Sequence, residues 1–375
     1  VCVCVCVCVA SWVGVHIRAC VRARARTLAR STPVACSQHS GGPCGILSAV
    51  QAFTLFQFLF QQPLTQVLQA SIDASAAAGI SAAAAAAAAS LKLTPRVPGG
   101  DAAAWAAATA GITDAQRQDV LATALAFVLW QASEGRQPVS VFHLADAARD
   151  LTPACTHTDV VAVRVASFAA LQTHMLLSLE ELARPCGVVL FVLSLVASRG
   201  LDAIKGDSDE DTDLIARFGH CSQELLNLCL LGRAVSNIFD GDQFIGEGDG
   251  KLTLHGVHRR PLVGYLSHAE AMRYTTVGDY FKTPCAPLWI IGSESHFTVL
   301  FGLTPDVNDE SPSGGAYRAF KKFDAHDNKF IPVCAWQQAQ RVWPCAGMPA
   351  SPHCAALHPA ACCTLRCSLE TWARC

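Results

Sequence analysis

The order of the apolar runs constrains the fold of this chain more than any other feature of its sequence. The run GILSAVQAFTLFQFLF at 45–60 has mostly helical spacing and predicts a buried helix. Similar runs, with Asp114 and Ser222 as candidate N-caps, predict further helices at 114–132, 165–183, 187–198 and 221–239. Strand-forming residues come late, and the segment 286–303 predicts two strands joined by a turn. Helices followed by strands are typical of an α+β protein.

Three segments between these runs have biased composition. Residues 74–111 include eight consecutive alanines at 82–89. This composition predicts a low-complexity Ala-rich insertion, helical in part, that projects from the surface of the fold. The acidic segment SDEDTD at 208–213 is expected to be an exposed link. The Gly-rich acidic segment at 240–251 is expected to be a flexible loop, since it lacks the carboxylate spacing of a calcium loop.

Length and charge limit the class of protein. A chain of 375 residues can bury a sizeable core, as one large domain or two ordinary ones. The net charge of -2 and the pI near 6.7 argue against nucleic acid or an anionic membrane surface as a partner. The apolar stretch at 187–197 is too short to span a bilayer, which needs about 20 residues. The sequence therefore predicts a soluble protein.

The cysteines are concentrated near the two ends of the sequence. Of 19 cysteines, six lie in 1–40 and seven in 334–375, and the ordinary density between them predicts a reduced intracellular protein, cytoplasmic and/or nuclear. The alternation VCVCVCVCV is what a repeated GT dinucleotide encodes, and the first methionine is Met175. Residues 1–36 are therefore expected to be disordered or a gene-model artefact, with an Arg-rich targeting peptide as the alternative. Residues 334–375 lack a helical or strand period and are expected to be an aberrant Cys-rich tail.

One cysteine stands where a nucleophile is favoured. Cys44 follows a Gly-Gly-Pro turn and begins the first predicted helix, whose N-terminal dipole favours a thiolate. His296, among strand-forming residues, is the best candidate for a base, and Gln38 is a candidate oxyanion donor together with the Cys44 N–H. Each also has a structural interpretation: a small buried thiol, a structural histidine and a surface glutamine.

Four segments, in this order, resemble a known family: QHSGGPCGILSAVQAF, FGHCSQELLNLCLLGRAVSNIFDGD, YFKTPCAPLWIIGSESHFTVLF and AYRAFKKFDAHDNKFIP. The resemblance is to the MINDY family of cysteine deubiquitinases, most closely the member with an EF-hand-like insertion, and it covers roughly 37–332. It implies a papain-like cysteine protease variant with the nucleophile at a helix N-terminus and the histidine on a late strand. By this resemblance 37–315 form the catalytic domain and 316–333 a truncated, degenerate EF-hand-like insertion.

The same resemblance implies roles for individual residues. Cys44 corresponds to the nucleophile, His296 to the base and Gln38 to the oxyanion donor of the family. The implied reaction is hydrolysis of isopeptide bonds in polyubiquitin, with a preference for lysine-48-linked chains, through a thioester. Ubiquitin and polyubiquitin are the implied partners, and no cofactor is implied.

The sequence also contains two candidate metal sites, neither of which predicts binding. Asp324, His326 and Asn328 match the first three ligand positions of an EF-hand loop, but Lys329 replaces the glycine of the sharp bend and Ala335 the bidentate glutamate. His255 and His258 have a spacing that can suit a metal on a helix, but no cysteine or carboxylate partner is expected near them, and solvated loop histidines are the expectation.

Two other functions remain open on the sequence. The family continues past the insertion with further strands, so a sheet that lacks one of them predicts an inactive ubiquitin-binding or scaffold protein. The same three residue types also permit another papain-like activity, such as peptide hydrolysis or transglutamination.

Overall fold

The computed structural model describes two separate units, 1–307 and 308–375. The residues that it describes are 2–6, 18–20, 43–64, 66–67, 93–98, 101–134, 138–146, 159–184, 186–210, 213–215, 219–246, 252–293, 296–305, 330–332 and 366–368.

The helices lie in the first unit: α1 (Cys44–Leu59), α2 (Ala102–Ala110), α3 (Asp114–Ser133), α4 (Phe168–Leu177), α5 (Leu179–Leu182), α6 (Gly187–Arg199), α7 (Leu201–Asp207), α8 (Gln223–Leu231), α9 (His268–Ala271) and α10 (Asp279–Lys282). Within the described residues no single helix is long and apolar enough to cross a membrane, although α6 and α7, bent by 81°, reach that length and composition together.

The strands are β1 (Cys2–Cys6), β2 (Arg18–Cys20), β3 (Val139–Leu144), β4 (Val160–Val165), β5 (Gln243–Ile245), β6 (Leu252–Leu254), β7 (Gly264–Ser267), β8 (Leu288–Gly292), β9 (Phe297–Gly302), β10 (Phe330–Pro332) and β11 (Arg366–Ser368). The largest sheet has the order β2-β1-β9-β8-β7, and only β7 and β8 are parallel in it. Antiparallel pairs also form between β3 and β4, between β5 and β6, and, in the second unit, between β10 and β11. The mixture of helices and strands confirms the predicted α+β class.

Helix α1 lies in the centre of the hydrophobic core. It packs against α3 and α8 on the helical side and against β8 and β9 of the sheet. The ring of Phe53 stands 4.9 Å from that of Phe127 in α3, and both rings are buried. A helix that is apolar on nearly all sides is stable only where it is covered on all sides, which is how the sequence GILSAVQAFTLFQFL places α1.

The late apolar runs form the predicted pair of strands. β8 and β9 are antiparallel, with Ile290 opposite Val299, and both of these side chains are fully buried. Ser293 closes the connection, because its N–H and its hydroxyl both donate to the carbonyl oxygen of His296 at 2.9 Å. This hairpin places His296 directly before the first residue of β9.

The helix ends follow the capping rules, with one correction. The N-cap of α3 is Thr113 and not Asp114: the Thr113 hydroxyl accepts from the Gln116 N–H, and the Gln116 side chain accepts from the Thr113 N–H. Ser222 caps α8 as predicted, since its hydroxyl accepts from the Leu225 N–H at 3.1 Å. Gly232 then ends α8 in the left-handed conformation, with a φ of 76°.

The Ala-rich segment is not a surface excursion throughout. Its last part forms α2, and Trp105 within α2 is buried, with its ring 5.5 Å from that of Phe301 in β9. A single large aromatic side chain among alanines is enough to attach this helix to the core. The run of eight alanines lies outside the described residues.

Several strands of the structure were not predicted from the sequence. Val165 ends β4 and does not begin a helix, because the β-branched run VVAVRV favours a strand that pairs with β3. β7 has only four residues, too few for an alternating pattern to be recognised. β1 and β2 lie within 1–36, and β1 pairs with β9 and with β2.

The two acidic segments are more ordered than expected where they are described. Asp209 is half-buried, and its carboxylate accepts from the Asn237 side chain and from the His255 N–H, both at 2.6 Å. Asp240 accepts from the N–H groups of Asp279 and Tyr280 at 3.0 and 2.9 Å. Both carboxylates therefore hold neighbouring backbone in place.

Candidate active site

Cys44 is the first residue of α1, as the sequence predicts. Pro43 occupies the N-cap position, and its side chain makes no capping hydrogen bond to the N–H groups of the first turn. The Cys44 side chain is buried, with 3% of its residue surface exposed. The thiol therefore lies at the positive end of a long buried helix, where a negative charge on sulfur is stabilised.

The strand that follows His296 makes direct contact with this thiol. The backbone N–H of Phe297, the residue after His296, hydrogen-bonds to the Cys44 sulfur. The hydroxyl of Ser48, one turn further along α1, donates to the carbonyl oxygen of Phe297 at 3.4 Å. The structure therefore brings the backbone at the start of β9 to Cys44, although His296 and Cys44 are far apart in the sequence.

The acidity of the Cys44 thiol results from opposing effects. Burial raises the pKa of Cys44, and hydrogen bonds from the N–H groups of Phe297, Cys44 and Gly45 lower it, with a net increase. The thiol is therefore protonated at neutral pH in the absence of a base. A nucleophile of this kind needs a neighbouring group that accepts its proton.

A second cysteine, Cys221, lies against the same helical turn. Its sulfur is 2.8 Å from the position that a Cβ of Gly45 would occupy. The N–H of Ile46 hydrogen-bonds to the Cys221 sulfur, and the Cys221 thiol donates to the Ser222 carbonyl oxygen at 3.4 Å. No sequence pattern singles out Cys221; its position directly before the N-cap of α8 was the available signal.

A small apolar cavity adjoins the first two turns of α1. It is lined only by apolar surface, from Ile46, Leu47, Val50, Leu121, Leu125, Leu182, Gly187, Val188 and Phe191. The residues that follow Cys44 thus form one wall of this cavity.

The other predicted positions have different outcomes. Gln38 and the EF-hand-like positions Asp324, His326, Asn328, Lys329 and Ala335 lie outside the described residues. The expectation that no carboxylate lies near His255 and His258 is wrong, because Asp242 is 3.5 Å from His255 Nδ1 and 3.1 Å from His258 Nε2. Among the residues that the structure describes, no group of three or more His, Cys, Asp or Glu side chains is arranged to hold a metal ion.

A second group of titratable side chains was missed by the sequence analysis. The Nδ1 atom of His143 is 2.5 Å from the Glu181 carboxylate, and its Nε2 atom is 2.7 Å from Nε2 of His174. Burial lowers the pKa of His174, and the charge of His143 lowers it further, against an opposing effect of Glu181. The group joins β3 to α4 and α5, and its residues are too far apart in sequence to be recognised as a motif.

Cys44 at the N-terminus of α1, with the backbone of the residue after His296 against its sulfur, is the candidate nucleophile of this site. Comparison with known proteins defines the family. Residues 26–324 match the family model described as "Deubiquitinating enzyme MINDY-3/4, conserved domain". The chain therefore belongs to the MINDY family of deubiquitinating enzymes, and the resemblance recognised in the sequence is confirmed.

Relatives at about 30% identity agree. Similar proteins include the mouse "Probable ubiquitin carboxyl-terminal hydrolase MINDY-4", 33% identical over 279 residues and 72% of this chain, and the Drosophila melanogaster "Ubiquitin carboxyl-terminal hydrolase MINDY-3 homolog", 30% identical over 316 residues and 80% of this chain. Human MINDY-3 is 29% identical over 321 residues and 80% of this chain. The chain spans 32%, 56% and 64% of the lengths of these three relatives. No solved structure matches the chain.

Proposed function

We propose that this chain is a cysteine deubiquitinase that hydrolyses isopeptide bonds in polyubiquitin. The observation that carries the proposal is the hydrogen bond from the N–H of Phe297, next to His296, to the thiol of Cys44 at the start of α1. The relatives named ubiquitin carboxyl-terminal hydrolases support the substrate class. A polyubiquitin chain linked through lysine 48 is the proposed substrate, as the resemblance implies.

The first half of the reaction forms a thioester. His296 accepts the Cys44 proton, and the thiolate attacks the carbonyl carbon of ubiquitin's C-terminal glycine. His296 then donates that proton to the nitrogen of the lysine leaving group, so that the C–N bond breaks and the thioester remains. The N–H donors at the start of α1 and at Phe297 stabilise the thiolate.

The second half regenerates the enzyme. His296 accepts a proton from water, hydroxide adds to the thioester carbonyl, and the Cys44 sulfur leaves. In both halves the negative oxygen requires donors, and the proposed donors are the Cys44 N–H and the Gln38 side chain. Removal of one such donor costs about 3 kcal/mol of transition-state stabilisation.

A panel of ubiquitin dimers tests the reaction and the linkage together. The wild-type chain is expected to cleave the lysine-48-linked dimer faster than the other linkages, and Cys44→Ala and His296→Ala are expected to reduce cleavage by at least about 10³-fold. Cys229→Ala is the matched control, because Cys229 is a fully buried cysteine in α8 and is expected to keep most of the activity. Cleavage that persists in Cys44→Ala contradicts the proposed nucleophile, and equal cleavage of all linkages contradicts the proposed preference.

The alternative of an inactive ubiquitin-binding protein has a different outcome in the same assay. It predicts a folded wild-type chain that binds lysine-48-linked chains without cleaving them. Binding measured by pull-down, alongside the circular dichroism spectrum, separates this outcome from a chain that has failed to fold.

A further inference from the structure

Two thiols share the first turn of α1. Cys44 interacts with its own N–H and with that of Gly45, and Cys221 interacts with the N–H of Ile46. The first turn of α1 thus interacts with two sulfur atoms from different parts of the sequence. Both residues are thiols in the structure, with Cys44 buried and Cys221 half-buried.

The close approach depends on the missing side chain of Gly45. The Sγ and Cβ atoms of Cys221 stand 2.8 and 2.9 Å from the position that a Cβ of residue 45 would occupy. The Cys221 side chain therefore packs directly against the backbone of Gly45, the residue that follows Cys44. Cys44 is also among the groups whose charge raises the pKa of Cys221. A bridge between the two cysteines requires their Cα atoms to lie about 4.4–6.8 Å apart.

The two thiols differ in acidity, and this sets the order of their reactions. Burial raises the pKa of Cys44, but three N–H donors oppose it; burial raises the pKa of Cys221 well above its usual value with one such donor. Cys229, the other thiol whose charge affects Cys221, is fully buried, and burial raises its pKa to about 12. Cys44 is therefore the first of the three to form a thiolate and to react with an oxidant.

We propose that Cys221 is the resolving cysteine of Cys44, so that peroxide converts the pair into a Cys44–Cys221 disulfide and reversibly blocks the nucleophile. In the first step the Cys44 thiolate attacks one oxygen of hydrogen peroxide, the O–O bond breaks, Cys44 becomes a sulfenic acid, and the hydroxide released takes up a proton to form water. In the second step the Cys221 sulfur attacks the Cys44 sulfur, the S–O bond breaks, and a second water leaves with the Cys221 proton. Two thiols lose two electrons in total, and one peroxide gains them.

The bridge has two consequences for the site. It occupies the Cys44 sulfur, so no thioester can form while it persists; this consequence alone rests on the proposed function. It also prevents a second peroxide from oxidising Cys44 to the irreversible sulfinic and sulfonic acids. Reduction by a dithiol then restores both residues.

Peptide mapping of the full-length wild-type chain tests the proposal directly. The folded protein is treated with hydrogen peroxide, remaining thiols are alkylated, and the digest is analysed without reduction. The expected product is a peptide pair joined through Cys44 and Cys221, about 2 Da lighter than its two thiol peptides and absent after treatment with a dithiol. Irreversibly oxidised Cys44 without this pair, or a dominant Cys221–Cys229 bridge, overturns the proposal whether or not the chain cleaves ubiquitin.

Variants sharpen the result. Cys221→Ser is expected to convert Cys44 to sulfinic and sulfonic acid at least fivefold faster than wild type at equal peroxide. Cys229→Ala is the matched control and is expected to form the Cys44–Cys221 pair at the wild-type rate. Equal irreversible oxidation of Cys44 in Cys221→Ser and wild type contradicts the resolving role. If Cys221→Ser does not fold, the wild-type map decides alone.

Discussion

The contact between Gly45 and Cys221 makes an unusual prediction for Gly45→Ala. Replacement of glycine by alanine inside a helix normally stabilises a protein by about 0.5–1 kcal/mol. Here the new methyl group would stand 2.8 Å from the Cys221 sulfur and 2.9 Å from its Cβ, with the Phe297 ring at 3.4 Å. Overpacking of this kind costs about 1–3 kcal/mol, so the net effect is a loss of up to about 2 kcal/mol in the free energy of unfolding.

Gly206→Ala provides the matched control. Gly206 lies in α7, and a Cβ there would have no neighbouring atom within 4 Å. It is expected to gain up to about 1 kcal/mol, so the two variants should differ by up to about 3 kcal/mol in urea denaturation. Because α1 carries Cys44, Gly45→Ala should also slow alkylation of the Cys44 thiol or its reaction with ubiquitin. Equal stabilisation of both variants would refute the steric argument.

Three further variants test other contacts. Asp207→Asn removes a carboxylate that binds the 5%-exposed Arg199 side chain at 2.6 and 2.8 Å, while Glu134 stays 2.6 Å from the same guanidinium. Urea denaturation should show a loss of about 1.5–3 kcal/mol, and less than about 1 kcal/mol would contradict a buried charged hydrogen bond. The pKa of His174 is lowered below 6.5 by burial and by His143, so the unfolded state binds more protons and stability should fall as the pH drops below about 6.5. His174→Gln should reduce the pH dependence of the free energy of unfolding, measured by denaturation at several pH values. An unchanged pH dependence would contradict the assignment of this effect to His174. Thr113→Ala should cost about 1 kcal/mol through loss of the α3 N-cap, and no change in the denaturation midpoint would contradict the capping box.

The site was predictable from the sequence where local signals define it. A Gly-Gly-Pro turn before a long apolar run sets the start of α1 at Cys44, and the residues around GSES set a hairpin that positions His296. Both signals come from a few neighbouring residues. The contact between Cys44 and the Phe297 backbone follows from packing of α1 on the sheet, which only the resemblance to a family could anticipate.

The features that were missed depend on contacts between distant segments. Cys221 looks like one more apolar position of the helix expected over 221–239 until its sulfur is seen against Gly45. Trp105 stands alone among alanines, and only its packing against Phe301 shows that α2 belongs to the core. β7 is too short for a recognisable period and is specified by its parallel pairing with β8.

The most direct test of the central claim is intact-mass analysis after incubation with ubiquitin that carries a C-terminal electrophile. We expect one adduct of ubiquitin's mass on the wild-type chain and on Cys229→Ala, and none on Cys44→Ala. Peptide mapping should place the modification on Cys44, at the N-terminus of α1. An adduct that survives in Cys44→Ala, or a folded wild-type chain that binds ubiquitin and forms no adduct, would contradict the assignment of Cys44 as the nucleophile of a deubiquitinase.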